Sequence, residues 1–172
     1  MRYLGNKSRL GKEIAPILKE HLTGRNTYYE PFVGAAGMME HFSDYPKKVG
    51  SDIDIPIIGL LRHIQICFKW GAPLFSTIAE LSQNELEEYY LKAKNGWTTY
   101  AVQALFGYGA SFGGKWFAGY ARGGVNSNGE PRNHLSETLR NLEKLAPKIK
   151  GVEFRVGSYN SFNYGEGNVI YC

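Results

Sequence analysis

The sequence predicts an α/β fold: a parallel sheet with crossover helices, interrupted by a mostly helical insertion over residues 75–148. Three observations carry this. Helical and strand patterns alternate from residue 8 to the end of IIGLLRHIQICF. The alternation then gives way to successive helical patterns and a stretch dense in glycine and aromatics. Two strand-like segments, VEFRVGSY and NVIYC, follow.

Taken in order, Leu10, Ile14, Ile17, Leu18 and Leu22 recur at helical spacing and predict a helix over residues 8–22, kinked at Pro16. TYYEPFV, residues 27–33, is β-rich and runs into GAAG. Residues 36–42 read as a short helix and KKVGSD, residues 47–52, as a short strand. Asp54 followed by Pro56 gives a cap and a first-turn proline, opening the helix that IIGLLRHIQICF continues. SQNELEEYYLKAK carries a Ser-x-x-Glu capping box at Ser82 and Glu85. Residues 98–105 read as another helix. GYGASFGGKWFAGYARGG has no clear period. Leu135, Leu139, Leu142 and Leu145 mark a helix that stops near Pro147. Core segments at residues 1–74 and 149–172 thus flank the insertion.

Composition narrows the class. The chain is 43% hydrophobic and 21% charged, as globular proteins are. No apolar run approaches the roughly 20 residues of a membrane span, and the N-terminus has no apolar signal region, so no membrane partner is expected. Cys67 and Cys172 lie far apart, outside any C-x-x-C spacing, which suits reduced thiols in a cytoplasm. His21, His41, His63 and His134 are scattered, and no metal is expected. A net charge of +4 with 24 aromatic side chains is compatible with nucleic acid.

The sharpest stretch is YYEPFVGAAGMMEHFSDYPKKVGSDID. A strand runs into Gly34-Ala35-Ala36-Gly37, and a second strand ends in Asp52. Glycines at a strand-to-helix turn let backbone approach a ligand, and an acidic residue closing the next strand can accept from both ribose hydroxyls. This reads as a nucleoside-cofactor pocket; the plain alternative is a tight turn. A dinucleotide site wants the fuller G-x-G-x-x-G fingerprint, and here only Gly34 and Gly37 are present. Glu30 would repel a pyrophosphate and suits a cationic ligand. S-adenosylmethionine carries a sulfonium and an ammonium, so the preference points to a methyltransferase. A nucleotide-dependent oxidoreductase using the same pocket is the competing reading.

EPFVGAAG resembles the E-P-F-x-G-x-G cofactor motif of Dam-like adenine-specific DNA methyltransferases. RYLGNKSRL looks like that family's N-terminal element, SDIDIPIIGLLR is similar to its D-I-N-x-x-L-I segment, and FRVGSYNSF resembles the strand and turn bordering the cofactor adenine. The matches run in order along essentially the whole chain. They imply a Rossmann-like methyltransferase core that takes S-adenosylmethionine and methylates N6 of a flipped adenine in double-stranded DNA, in the cytoplasm of a bacterial or phage-infected cell.

Carried over residue by residue, the resemblance has Tyr3 and Lys7 touching the cofactor, with Lys7 on its carboxylate. Glu30, Phe32, Gly34 and Gly37 shape the loop, Asp52 holds the ribose, and Ser158 and Tyr159 flank the adenine. The insertion falls where the family places target recognition. There Lys115 and Arg122 would meet phosphates, and Trp116, Phe117 and Tyr120 would stack on or wedge between bases. Plainer readings stand beside these: a solvated Lys7, a strand-end turn at Asp52, ordinary turn residues at Ser158 and Tyr159, a packed aromatic turn in the insertion. Two departures matter. Asp54 stands where the family commonly has Asn, and the F-N-x-P segment after the loop is replaced by GGVNSNGEPRNH, so a target sequence cannot be carried over. The family's next residues after IYC are Asp-Pro-Pro-Tyr, its catalytic motif. The resemblance therefore expects a missing C-terminal segment beyond Cys172, through a truncated gene, an artificial boundary or a split protein. It leaves a catalytically inactive DNA-binding module as a second reading.

Overall fold

In the computed structural model, which describes residues 3–125, 128–129 and 132–172, four parallel strands form one sheet. They are β1 (Tyr28–Glu30), β2 (Lys48–Asp52), β3 (Val152–Val156) and β4 (Val169–Ile170), in the spatial order β3-β2-β1-β4. Tyr29 sits between Val49 and Ile170, and Gly50 between Glu30 and Phe154. The connections after β1 run to one side and β4 returns to the other, which makes the gap between β1 and β4 the switch point of the sheet.

β1 is shorter than TYYEPFV suggests, because Pro31 cannot donate to a ladder. In NVIYC only Val169–Ile170 is strand, although the Tyr171 N–H still donates to the Tyr29 carbonyl at 2.9 Å. Residues 36–42 differ more. Ala36 takes a left-handed φ of 59°, which breaks the expected helix, and only a 3-10 turn at Met39–Phe42 remains. That turn is held by packing: Met38, Met39 and Phe42 are fully buried, and Phe42 stacks on Tyr28 at 3.8 Å.

Helix α1 (Ser8–Glu20) contains Pro16 and ends before Leu22. Its expected apolar stripe is only partly inward: Ile14 and Leu18 pack on the core, whereas Leu10 and Ile17 are exposed. Helix α2 (Ile55–Trp70) is built as its signals read. Asp54 caps the Ile57 N–H at 3.0 Å, Pro56 sits in the first turn, and Gly71 closes the far end at a φ of 63°. Helices α3 (Ser76–Ala79), α4 (Gln83–Lys94) and α5 (Tyr100–Ala104) follow, and the Ser82–Glu85 capping box opens α4. Thr99 caps α5, which runs on into a π-helical turn at Leu105–Gly109. Helix α6 (His134–Leu145) buries all four of its spaced leucines. Residues 75–148 are not set apart from the sheet. α5 packs on α2, and one buried cluster joins Ile57, Ile64, Leu105, Leu142 and Phe154.

Candidate functional site

The carboxyl ends of β1, β2 and β4 open into a cavity of about 350 Å³. The β1 end supplies Glu30, Phe32 and Gly34, the β2 end Asp52, and the β4 end Tyr171 and Cys172; the segment before α1 closes the opposite wall with Tyr3, Asn6 and Lys7. Seven of the nine residues expected at a cofactor therefore line one cavity: Tyr3, Lys7, Glu30, Phe32, Gly34, Gly37 and Asp52.

Local chemistry fixes this shape. Asp52 accepts from the Gly34 N–H at 3.0 Å through one oxygen and from the Asp54 N–H at 3.1 Å through the other, so it ties the glycine turn to its own strand end. Gly34 has a φ of 45°, and a Cβ there would lie 2.9 Å from the Tyr3 ring. At Gly37 a Cβ would lie 1.9 Å from Asn6 Oδ1 and 2.8 Å from the Ser8 N–H nitrogen. Only glycine lets the N-terminal segment lie against this turn.

Glu30 is 3% exposed. Burial pushes its carboxyl well above the ordinary glutamate range; the Met39 N–H opposes this, and the Asp52 charge adds to it. Its Oε2 has no hydrogen-bond partner among the described residues. Burial, then the Asp52 and Asp54 charges, push the Tyr3 phenol up to about 12. Ser158 and Tyr159 stand at the mouth rather than in the wall. The Gly157 N–H donates to the Asp52 carbonyl at 2.9 Å, and the half-exposed Tyr159 ring lies 5.5 Å from that of Phe32.

The loop expected on DNA starts at the π-helical turn. Ser111 and Tyr120 pair as an isolated antiparallel bridge, and the Phe112 N–H donates to the Gly119 carbonyl at 2.9 Å. Lys115 is exposed and Trp116 is 44% exposed. Tyr120 is half-buried with its ring edge-on to Tyr90, and burial raises its phenol. Arg122 is exposed but bonded to Glu87 at 2.7 Å. Lys115, Trp116 and Arg122 are thus presented outward, while Tyr120 supports the loop from within. GGVNSNGEPRNH lies partly outside the described residues.

Cavity and loop touch through side chains that no short-range pattern singles out. The Tyr108 hydroxyl donates to Asp54 Oδ2. Its ring is 4.8 Å from Tyr3 and 4.9 Å from Trp116, and the Leu4 N–H donates to the Gly114 carbonyl at 3.3 Å. Tyr108 and Asp54 are 54 residues apart. Asn6 was more legible: Asn followed two residues later by a helix start forms an Asx turn, here with the Ser8 N–H at 3.0 Å. Among the described residues no cluster of three or more His, Cys, Asp or Glu could hold a metal, and no helix is long and apolar enough to cross a membrane.

A parallel sheet with a cavity at its switch point, a glycine turn after β1 and a carboxylate closing β2 defines a Rossmann-like α/β protein. The particular family follows from the chain as a whole. Residues 3–172 match the model of the D12 class N6 adenine-specific DNA methyltransferases, and the chain belongs to that family. The fold and the adenine-methyltransferase kinship expected from EPFVGAAG and its companions both hold. No curated protein matches the chain.

Proposed function

We propose that the cavity binds S-adenosylmethionine and that residues 75–148 carry DNA recognition, so that the chain serves site-specific N6-adenine methylation of double-stranded DNA. The observation that carries this is the pair of carboxylates, Glu30 and Asp52, at neighbouring strand ends around a glycine turn. Two features fit the cofactor: an orphaned, buried carboxylate oxygen suits a cation, and the turn at Gly34 and Gly37 leaves no room for added side chains. When bound, S-adenosylmethionine supplies the methyl group. Asp52 keeps lone pairs for ribose hydroxyls after its two backbone bonds, Glu30 faces the ammonium, and Lys7 holds the carboxylate as a point charge. Phe32 and Tyr159 present ring faces to the adenine, with Ser158 beside them. Lys115 and Arg122 meet phosphates, and Trp116 stacks on bases.

The 172 residues contain no Asp-Pro-Pro-Tyr. We therefore expect them to bind cofactor and DNA without transferring a methyl group by themselves. Thermal unfolding against a panel of S-adenosylmethionine, NAD and NADP tests the pocket, since a ligand raises the midpoint only if the folded protein binds it. A rise with the first alone supports the methyltransferase reading; a rise with NAD or NADP alone replaces it with the oxidoreductase one. Tritium transfer from labelled cofactor to unmethylated DNA, lost in Asp52→Ala, would show that the 172 residues suffice for catalysis.

A further inference from the structure

Glu30 is the feature of the cavity that the proposed function uses without explaining its state before a ligand arrives. It is nine-tenths buried and more, its Oε2 is unpartnered among the described residues, and it opens on the cavity. Among the described residues, the groups around it offer no compensating charge. On its own strand, two residues earlier and on the same face, stands Tyr28, fully buried, its hydroxyl also without a partner among the described residues. From β2 comes Asp52, which has the same sign. From β4 come Tyr171 and Cys172, and from the N-terminal segment Tyr3 and Lys7. Among the described residues Lys7 is the only cation lining the cavity; it is exposed and outside ion-pairing range of Glu30. From the turn packed behind it comes only the Met39 N–H. An ionised carboxylate in such a place is costly, while a protonated one needs no counter-charge.

We propose that Glu30 carries a proton in the empty pocket and gives it up when the cofactor's ammonium enters, so that the subsite takes a primary ammonium in exchange for a proton. This rests on the cofactor reading above. The balance is simple: the Glu30 O–H bond breaks, the proton passes to solvent or buffer, and the carboxylate left behind pairs with the ligand's charge. The Tyr28 hydroxyl keeps its own proton, because burial and Glu30 both push that phenol upward. The exchange makes the subsite a discriminator. A nucleoside lacking the amine can fill the adenosine part of the cavity, but it provides nothing to displace the proton.

Titration calorimetry of this chain tests the exchange with S-adenosylhomocysteine, which keeps the ammonium, and 5′-methylthioadenosine, which lacks it. At about pH 6.5 an α-ammonium is almost fully charged. With the first ligand the observed enthalpy should differ between buffers of unlike ionisation enthalpy, corresponding to about one proton released; with the second it should not. Affinity for the first should rise about tenfold per pH unit until Glu30 ionises in the free protein. Glu30→Gln should bind S-adenosylhomocysteine more weakly than the wild type at neutral pH and lose both the buffer difference and the pH slope. The wild type alone suffices should that variant not fold: infrared difference spectra should show a protonated carboxyl band disappearing as S-adenosylhomocysteine binds. Binding of S-adenosylhomocysteine with no buffer difference and no carboxyl band overturns the exchange and leaves the cofactor reading intact. Persistence of the buffer difference in Glu30→Gln overturns it as well. Binding of neither nucleoside overturns the cofactor reading, and the exchange with it.

Discussion

Asp52 carries two structural hydrogen bonds of its own, to the N–H groups of Gly34 and Asp54, besides its proposed role on a ribose. The substitution Asp52→Ala should therefore act twice. Loss of a bond from a ligand hydroxyl to a charged group should cost roughly 1.5–3 kcal/mol, about ten- to a hundred-fold in affinity, measurable by calorimetry with S-adenosylmethionine. The unliganded protein should also melt lower, because the glycine turn loses its anchor. Unchanged cofactor affinity would remove Asp52 from the site. Glu30 works in the opposite sense. Its folded carboxyl is raised by burial, so the folded state holds the proton more tightly than the unfolded chain. The stability this gives is fully present below the ordinary glutamate value of 4.5 and is lost as pH rises toward the folded value. Glu30→Gln should accordingly stabilise the ligand-free protein at neutral pH, with a gain that shrinks on acidification. Thermal melts of both proteins across a pH series check this, and a variant that melts lower at neutral pH contradicts it.

At the scale of elements, the π-helical turn at Leu105–Gly109 sets the angle at which Tyr108 reaches Asp54 and Trp116 leaves for the loop. Such turns are rare and gather at functional sites. Tyr108→Phe keeps the ring contacts and removes the bond to a carboxylate, so denaturant unfolding should fall by roughly 1.5–3 kcal/mol. An unchanged unfolding curve would mean that water replaces the hydroxyl without loss. The loop's two cations should behave differently from each other. Lys115 is exposed and makes no ion pair among the described residues, so Lys115→Ala should lower the salt slope of DNA binding by about one. Arg122 must first leave Glu87, so Arg122→Ala should move the slope by less, and Glu87→Ala should tighten binding to every duplex alike. Duplex binding across a salt series with these single variants distinguishes the loop from a purely structural turn. Should neither affinity nor slope move, recognition lies elsewhere.

For the molecule as a whole, legibility in the sequence followed the range of the forces involved. The start of α2 was readable because its cap and first-turn proline are local; the helix runs to Trp70, two residues past IIGLLRHIQICF, before Gly71 closes it. The capping box at Ser82 and Glu85 and the leucines of α6 were readable for the same reason. Residues 36–42 misled, since the helical reading ignored a left-handed Ala36 and the pull of Tyr28 on Phe42 from another element. The stripe on α1 overstated its burial: Leu10 and Ile17 have helical spacing but no neighbour to cover them. In the site, the strand-end residues and glycines could be named because strand, turn and strand are consecutive. The Asp54–Tyr108 bond could not, because it joins positions that only the packing of α5 on α2 brings together.

The pairing of β1 with β4 has a consequence in time. The Thr27 N–H donates to Asn168 Oδ1 across 141 residues of chain, and Tyr171 and Cys172 wall the cavity beside Glu30. Polypeptide leaves the ribosome at roughly 5–20 residues per second, so this wall emerges roughly 7–28 seconds after β1. Until then the glycine turn and Asp52 can form, through the local link of β1 to β2, while the side facing β4 stays open. A nascent chain of this protein therefore spends the interval between the emergence of β1 and that of β4 with a half-built pocket and an unpaired strand edge. Closure of the cavity waits until β1 and β4, far apart in the sequence, have met.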